Sequence, residues 1–415
     1  MSRNGDFAVG LDIGTTKICA IYGRWEKERV NIVSVGSCPS LGLRKGIVVD
    51  MDMTADSVKR ALRCAGEGTG AAAIRSVVVG IAGGHIKGFT GYGAIGIRGG
   101  VVRQDDVDRL VDSAGAVCVP VDREILHVIP SGFRIDGSNG INDPVGLRAE
   151  RLEADVHIVT GSVTSVRNLI KCCEMAEVRV KDIVLEPLAS ADAVLAEDEK
   201  NRGVVLIDIG GGTTDIAVYK DGMLKHTAVL ALGGNHITND IALGLGISSD
   251  EAERIKKLSG YSMTGMADEN GSVEIRREEN KAEKLPLRRL TEIIEPRCEE
   301  LMLLIKKEVD IAAREGAGDR KMSSRFSGVV LTGGTALLKG IDSMAKLTLG
   351  LPVRIGTPAG VVNKGFVNGP EFATGVGLLR YGLESQDGDD EWSDAPLTAN
   401  GIFEKMKYWV KGLFQ

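Results

Sequence analysis

Two short stretches place an aspartate, glycines and threonines at matching spacing. Asp12 precedes Gly14, Thr15, Thr16 and Lys17; Asp208 precedes Gly210, Gly211, Gly212, Thr213 and Thr214. Glycines, lacking a β-carbon, let backbone N–H groups approach anionic oxygens, and the threonine hydroxyls add donors. Lys17 has the reach for a β- or γ-phosphate. Asp12 and Asp208 stand at strand ends beside the turns, where they can hold Mg²⁺ through water, because that ion keeps much of its hydration shell. One such stretch is an ordinary tight turn. A matched pair, half the chain apart, points to a polyphosphate gripped from two sides.

Other routes to a nucleotide are closed. The chain has no Gly-Lys pair, so a Walker loop is excluded. Gly66, Gly68 and Gly70 lie in a helix-like segment with no strand before it, which is no dinucleotide fingerprint. A third element, Val329 to Ile341, reads as a buried strand, a Gly-Gly turn and a helix start. There Gly333, Gly334 and Thr335 could let a base or ribose lie flat on the backbone, and Gly234 is assigned to the same nucleotide-binding set.

The elements that must position these residues read as α/β, with apolar strand-like runs alternating with helical patterns. Residues 8–22 and 204–219 echo one another as strand–turn–strand hairpins, so two similar halves facing each other are expected. Residues 50–66 and 163–176 have helical patterning, and 248–258 opens on a Ser/Asp cap. Residues 261–286 suggest a loop or small hairpin. A long helical pattern over 287–315 contains Pro296, which predicts a kink or break. Segment 85–161, with strand patterns at 85–98, 124–135 and 152–160 and a helix at 104–117, reads as an inserted subdomain.

Bulk properties narrow the classes. The 415 residues suffice for two domains or more, and 43% hydrophobic residues allow a large core. A net charge of −6 and only 4% aromatic residues argue against a nucleic-acid partner. Seven scattered cysteines without a CxxC, and only five histidines, fit reduced thiols rather than a zinc site. No signal peptide and no spanning segment is read.

Taken together, Asp12 to Lys17, Asp208 to Asp215 and Leu331 to Gly340 resemble the two phosphate motifs and the adenosine motif of the actin/Hsp70/sugar-kinase superfamily. The connecting motifs are matched at Glu186 to Ala191 and Ala373 to Leu378. The resemblance implies an actin-like two-domain fold with ATP and Mg²⁺ in the cleft. It also implies catalytic roles for Glu186, as the residue orienting attacking water, and for Asp208, and a ribose-holding pair in Glu253 and Lys256. Read without it, Glu186 is a helix-start carboxylate favoured by the dipole, and Glu253–Lys256 an exposed i,i+3 ion pair.

The C-terminal end has its own pattern. Residues 384–399 carry six acids and no bases, the composition of a disordered linker. On a helical wheel Ile402, Phe403, Met406, Trp409, Val410, Leu413 and Phe414 fall within about 140° of arc. Lys405, Lys407 and Lys411 flank that arc. This is the pattern of a helix lying in a membrane interface, drawn to anionic lipid. Docking on its own domain or in a partner's groove are the alternatives.

With Val35 to Ser40, His127 to Pro130, Gly140 to Leu147 and Ile293 to Arg297 added, the chain resembles the FtsA family of bacterial cell-division proteins. That resemblance implies subdomain 1A over 1–84, 162–200 and 353–383, with 1C over 85–161. It implies 2A over 201–230 and 300–352, 2B over 231–299, the acidic linker over 384–399 and a membrane-targeting helix over 400–415. It further implies filaments on the inner face of the cytoplasmic membrane at the division site, the C-terminal tail of FtsZ held by 2B, recruitment of downstream division proteins, and at most weak ATPase activity. The rivals are a membrane scaffold that binds ATP without useful turnover, a pilus-assembly protein and an Hsp70-like chaperone, for which too little chain follows residue 383. A sugar kinase lacks a marked catalytic base here.

Overall fold

The computed structural model describes residues 7–26, 29–67, 74–277, 282–314, 326–363 and 365–385. The amphipathic stretch 400–415 and all but the first two residues of the acidic linker lie outside the described residues.

The repeated hairpin organises two sheets of the same order. In the first, Phe7–Ile13, Lys17–Glu26 and Arg29–Pro39 run antiparallel. Ser76–Ile81 and Arg179–Leu185 add in parallel beyond Phe7–Ile13, and Val361–Asn363 closes the far edge. In the second, Val204–Ile209, Thr214–Lys220 and Met223–Leu230 run antiparallel, with Gly328–Thr332 and Val353–Ile355 added in parallel. Register is equivalent too: Asp12 pairs with Cys19 and Asp208 with Asp215, each one residue before its strand ends. The central strands are apolar throughout because helices cover both faces; Leu206, Ile207 and Ile209 are fully buried, as are Leu11 and Ile18.

Two helices lie between the sheets' inner ends, Glu186–Val194 and Ala373–Glu384. They meet so closely that a β-carbon on Gly377 would overlap the carbonyl oxygen of Ala189. Gly10 likewise leaves room for the Gly375 carbonyl, so the second helix sits directly on the first strand.

The inserted segment forms its own four-stranded sheet, ordered Lys87–Gly96, Arg151–Ser162, Arg123–Ile135 and Ser138–Ile141, covered by the helix Gln104–Gly115. It follows the first parallel strand of its half. The second half's additions, the helix Ser249–Ser259 and the hairpin Ser272–Arg276/Ala282–Pro286, come before the corresponding strand. The predicted cap is present, with Ser248 Oγ accepting from the Glu251 amide.

Leu287–Arg314 continues as one helix through Pro296, where a break was an alternative. Its inward face, from Leu290 through Ile294, Leu301, Ile305 and Val309, is fully buried. That burial outweighs the missing amide donor, which alone costs about 3 kcal/mol.

Candidate functional site

The two turns close with the same bond: Gly14 N donates to Lys17 O at 3.1 Å, and Gly210 N to Thr213 O at 3.0 Å. They face each other across a cleft of about 430 Å³. A β-carbon on Gly211 would overlap Thr16 Oγ1, and one on Gly212 would crowd Thr15. Thr16 Oγ1 donates to Asn235 Oδ1 at 3.1 Å, and Thr15 Oγ1 accepts from Gly46 N at 3.1 Å. Lys17 lines the cleft, but its ammonium donates to the Glu371 carbonyl at 2.7 Å and lies 4.3 Å from the Phe372 ring centre.

Four carboxylates gather beneath the turns: Asp12, Glu186, Asp208 and Asp215. Burial raises all four. Asp12 is pushed up to about 6, offset in part by Lys17 and reinforced by Asp208. Glu186 is raised well above its ordinary range by burial and then by Asp12, Asp215 and Asp208. Asp215 is raised by burial and by Asp208, and Asp208 by burial against the hydroxyls that bond it. Buried carboxylates so close together disfavour one another's charged forms. Among the described residues no group of three or more His, Cys, Asp or Glu side chains could hold a metal ion by itself. The donor set fits Mg²⁺, which takes phosphate and water oxygens and needs carboxylates mainly around its hydration shell.

On the other side, Gly333 has φ +84°, and a β-carbon there would overlap Asp208 Oδ1. Thr335 Oγ1 donates to Gly210 O at 3.0 Å, tying the third turn to the second. Gly234 lies against Thr335 and Lys256. Glu253 and Lys256 form an ion pair of 2.6 Å whose lysine side chain is only 11% exposed, so the pair belongs to the cleft and not to a solvated helix face. Lys256 also donates to Gly234 O at 3.1 Å and Thr238 Oγ1 at 2.8 Å, and burial lowers its pKa.

Nearly every residue singled out for the phosphate, metal, ribose and base roles lines this one cleft. Thr214 is the correction: it is fully buried and its hydroxyl donates to Leu232 O at 2.8 Å. It is the first residue of the returning strand, and side chains alternate faces along a strand, so Thr213 meets the cleft and Thr214 turns away. Sequence reasoning gave no role to Asp215, although it ends the second phosphate motif, and missed Asn235, Glu371, Ser190 and Thr374. Ser190 Oγ donates to Asp208 Oδ2 at 2.6 Å, and Thr374 Oγ1 to the same oxygen at 3.3 Å. Both lie inside the connecting stretches already noted, which were the available signal. The membrane-facing positions of the C-terminal segment are outside the described residues.

Comparison with known proteins bears on this arrangement. The profile of cell division protein FtsA matches residues 205–377, and that of the SHS2 domain inserted in FtsA matches residues 83–160. Cell division protein FtsA of Pseudomonas aeruginosa is 39% identical over 99% of this chain and 99% of its own length. The chain belongs to the FtsA family. The FtsA of Bacillus subtilis is 38% identical over 91% of this chain and 84% of its own, and that of Escherichia coli 36% over 98% of each. The first family match runs from the second hairpin through Asp208, Glu253, Gly333 and Thr374; the second covers the inserted sheet.

Solved structures extend the fold likeness. A PilM–PilN type IV pilus biogenesis complex superposes with a TM-score of 0.66 at 18% identity, covering 91% of this chain and 98% of that one. MreB5 of Spiroplasma citri, solved bound to ADP, gives 0.54 at 14% identity, covering 92% and 99%. The fold of this family member is therefore actin-like.

Proposed function

We propose that the chain binds ATP with Mg²⁺ in this cleft, polymerises on the inner face of the cytoplasmic membrane at the division site, tethers FtsZ filaments there and recruits other division proteins. The observation that carries the nucleotide part is the pair of Gly/Thr turns facing each other over four carboxylates. Backbone amides of Thr15 and Thr16 and of Gly211 and Gly212 take the phosphates, those of Gly14 and Gly210 being used to close the turns, and Lys17 exchanges its carbonyl partner for a phosphate oxygen. Asp12 and Asp208 face the cation's hydration shell, Glu253 and Lys256 the ribose, and Gly333 to Thr335 the base. Bound Mg²⁺ would supply charge neutralisation between phosphate and acids. Glu186 is placed to orient water, and phosphoryl transfer depends mainly on such positioning.

Membrane attachment rests on the amphipathic pattern at 400–415. One short helix binds weakly; a filament multiplies it by avidity. Binding of the FtsZ tail by residues 231–299, and the subdomain division as a whole, are part of the same proposal, supported by family membership. No helix among the described residues is long and apolar enough to cross a membrane. The likeness to a PilM–PilN complex favours no pilus role, since at 18% identity it concerns the fold alone.

Sedimentation with anionic liposomes tests the reading, with and without ATP–Mg²⁺, comparing the full chain with a truncation after Ala399. Pelleting enhanced by ATP and abolished by truncation is expected. Tail-dependent pelleting indifferent to ATP would remove the nucleotide coupling, and a full chain that stays in the supernatant would remove the membrane role.

A further inference from the structure

The two carboxylate oxygens of Asp208 have different surroundings. Oδ2 accepts from Ser190 Oγ at 2.6 Å and from Thr374 Oγ1 at 3.3 Å, and the two hydroxyls are themselves 3.0 Å apart. Ser190 is fully buried and Thr374 7% exposed. Oδ1 lies against Gly333, where only a glycine leaves it room, and among the described residues both hydrogen bonds to this carboxylate go to Oδ2. Oδ2 is therefore satisfied inside the protein, while Oδ1 is the oxygen left for a ligand in the cleft that Asp208 and Gly333 both line.

We infer that Ser190 and Thr374 are positioning residues that lock Asp208 so that Oδ1 serves the hydration shell of a divalent cation held with the nucleotide. The inference rests on the proposed ATP–Mg²⁺ reading of the cleft and names what sets its metal affinity.

The local structure makes these hydroxyls unusual. A serine inside a helix commonly bonds back to the carbonyl one turn earlier. Ser190 instead reaches across to a strand of the other half. It sits one turn after Glu186, so a single helix carries both a carboxylate of the cleft and the clamp on Asp208. Thr374 enters from the neighbouring helix, and its position is set where Gly377 meets Ala189 and Gly375 meets Gly10. The clamp joins both connecting helices to the second sheet, which fixes Asp208 relative to Glu186.

A purely structural role, satisfying a buried acid, predicts a different outcome from a positioning role, and the experiment separates them. Affinity for a fluorescent ATP analogue is titrated in EDTA and in rising Mg²⁺ for the full chain and for Ser190→Ala, Thr374→Val and Thr374→Ser. The expected result is that Ser190→Ala and Thr374→Val need about tenfold more Mg²⁺ for half of the metal-dependent gain, as loss of an outer-shell partner commonly does. Their affinity in EDTA stays within about twofold of wild type, and Thr374→Ser behaves as wild type. An unchanged Mg²⁺ midpoint, or an equal loss in EDTA, overturns the inference. So does a wild-type chain that binds the analogue with no Mg²⁺ dependence, whereas one that binds no nucleotide overturns the parent reading and this one together. If Ser190→Ala does not fold, the Thr374→Val and Thr374→Ser pair, differing in one hydroxyl, decides the question.

Discussion

Gly211 lies directly against Thr16, so that a β-carbon at Gly211 would occupy the place of the threonine hydroxyl. The two phosphate-type turns, 195 residues apart in sequence by their numbers (211 − 16), are in contact across the cleft. Gly211→Val should hold the turns apart. Nucleotide affinity is expected to fall by about tenfold, equivalent to ~1.4 kcal/mol, with little change in unfolding temperature. Titration with a fluorescent ATP analogue beside a thermal melt checks this; unaltered affinity would mean that the turns do not grip one ligand together.

Lys17 separates phosphate recognition from base recognition. Lys17→Met keeps an unbranched side chain and removes the ammonium that lies 4.3 Å from the Phe372 ring centre. Affinity for ATP should drop by about tenfold or more, while affinity for adenosine stays within about twofold. Calorimetric titration of both ligands makes the comparison. An equal loss for both would assign Lys17 to scaffolding through its bond to the Glu371 carbonyl.

The acid cluster gives a pH signature with a defined sign. Asp12 has its pKa raised from 3.8 to about 6, facing Lys17, Glu186, Asp208 and Asp215. Between those values the folded chain holds a proton that the unfolded chain releases. Its contribution to stability is therefore present below about pH 4 and lost as pH rises through 6. His127 and His157, lowered by burial to about 4 and about 3, act in the opposite sense over the same acid window. The difference between Asp12→Asn and wild type reads the aspartate together with the relief given to Glu186 and Asp215, which Asp12 helps to raise: the variant should be no more stable at pH 4 and more stable by roughly 1–3 kcal/mol above pH 6. Denaturant unfolding across pH reads this, and a gap independent of pH would contradict it.

The inserted sheet is fastened to the second half by alternate residues of Met223–Leu230. Met223, 5% exposed, packs into the insert's core with Phe133, Ile135 and Leu152. Lys225 Nζ donates to Ser131 O, and Thr227 Oγ1 meets His157 Nε2 at 2.7 Å. Met223→Ala should cost about 2–4 kcal/mol and raise hydrogen exchange along both the insert and this strand. Exchange confined to one of the two would show that they are not fastened here.

What the sequence by itself determined is local. The hairpins announce themselves because alternation, a strand-end aspartate and Gly/Thr turns are all set within about fifteen residues, and the Ser248 cap likewise needs only its own helix start. Family likeness along nearly the whole chain followed from the order of such motifs. Tertiary structure decided everything that depended on which elements meet. Thr213 and Thr214 read as equivalent donors until the strand's starting residue set their facing. Ser190 and Thr374 read as unremarkable helix residues, being 18 and 166 positions from Asp208, and only the close crossing of two helices brings their hydroxyls to its carboxylate. Glu253 and Lys256 formed a pair at helical spacing in either view; burial in the cleft, a property of the packed chain and not of the pair, took it off the surface.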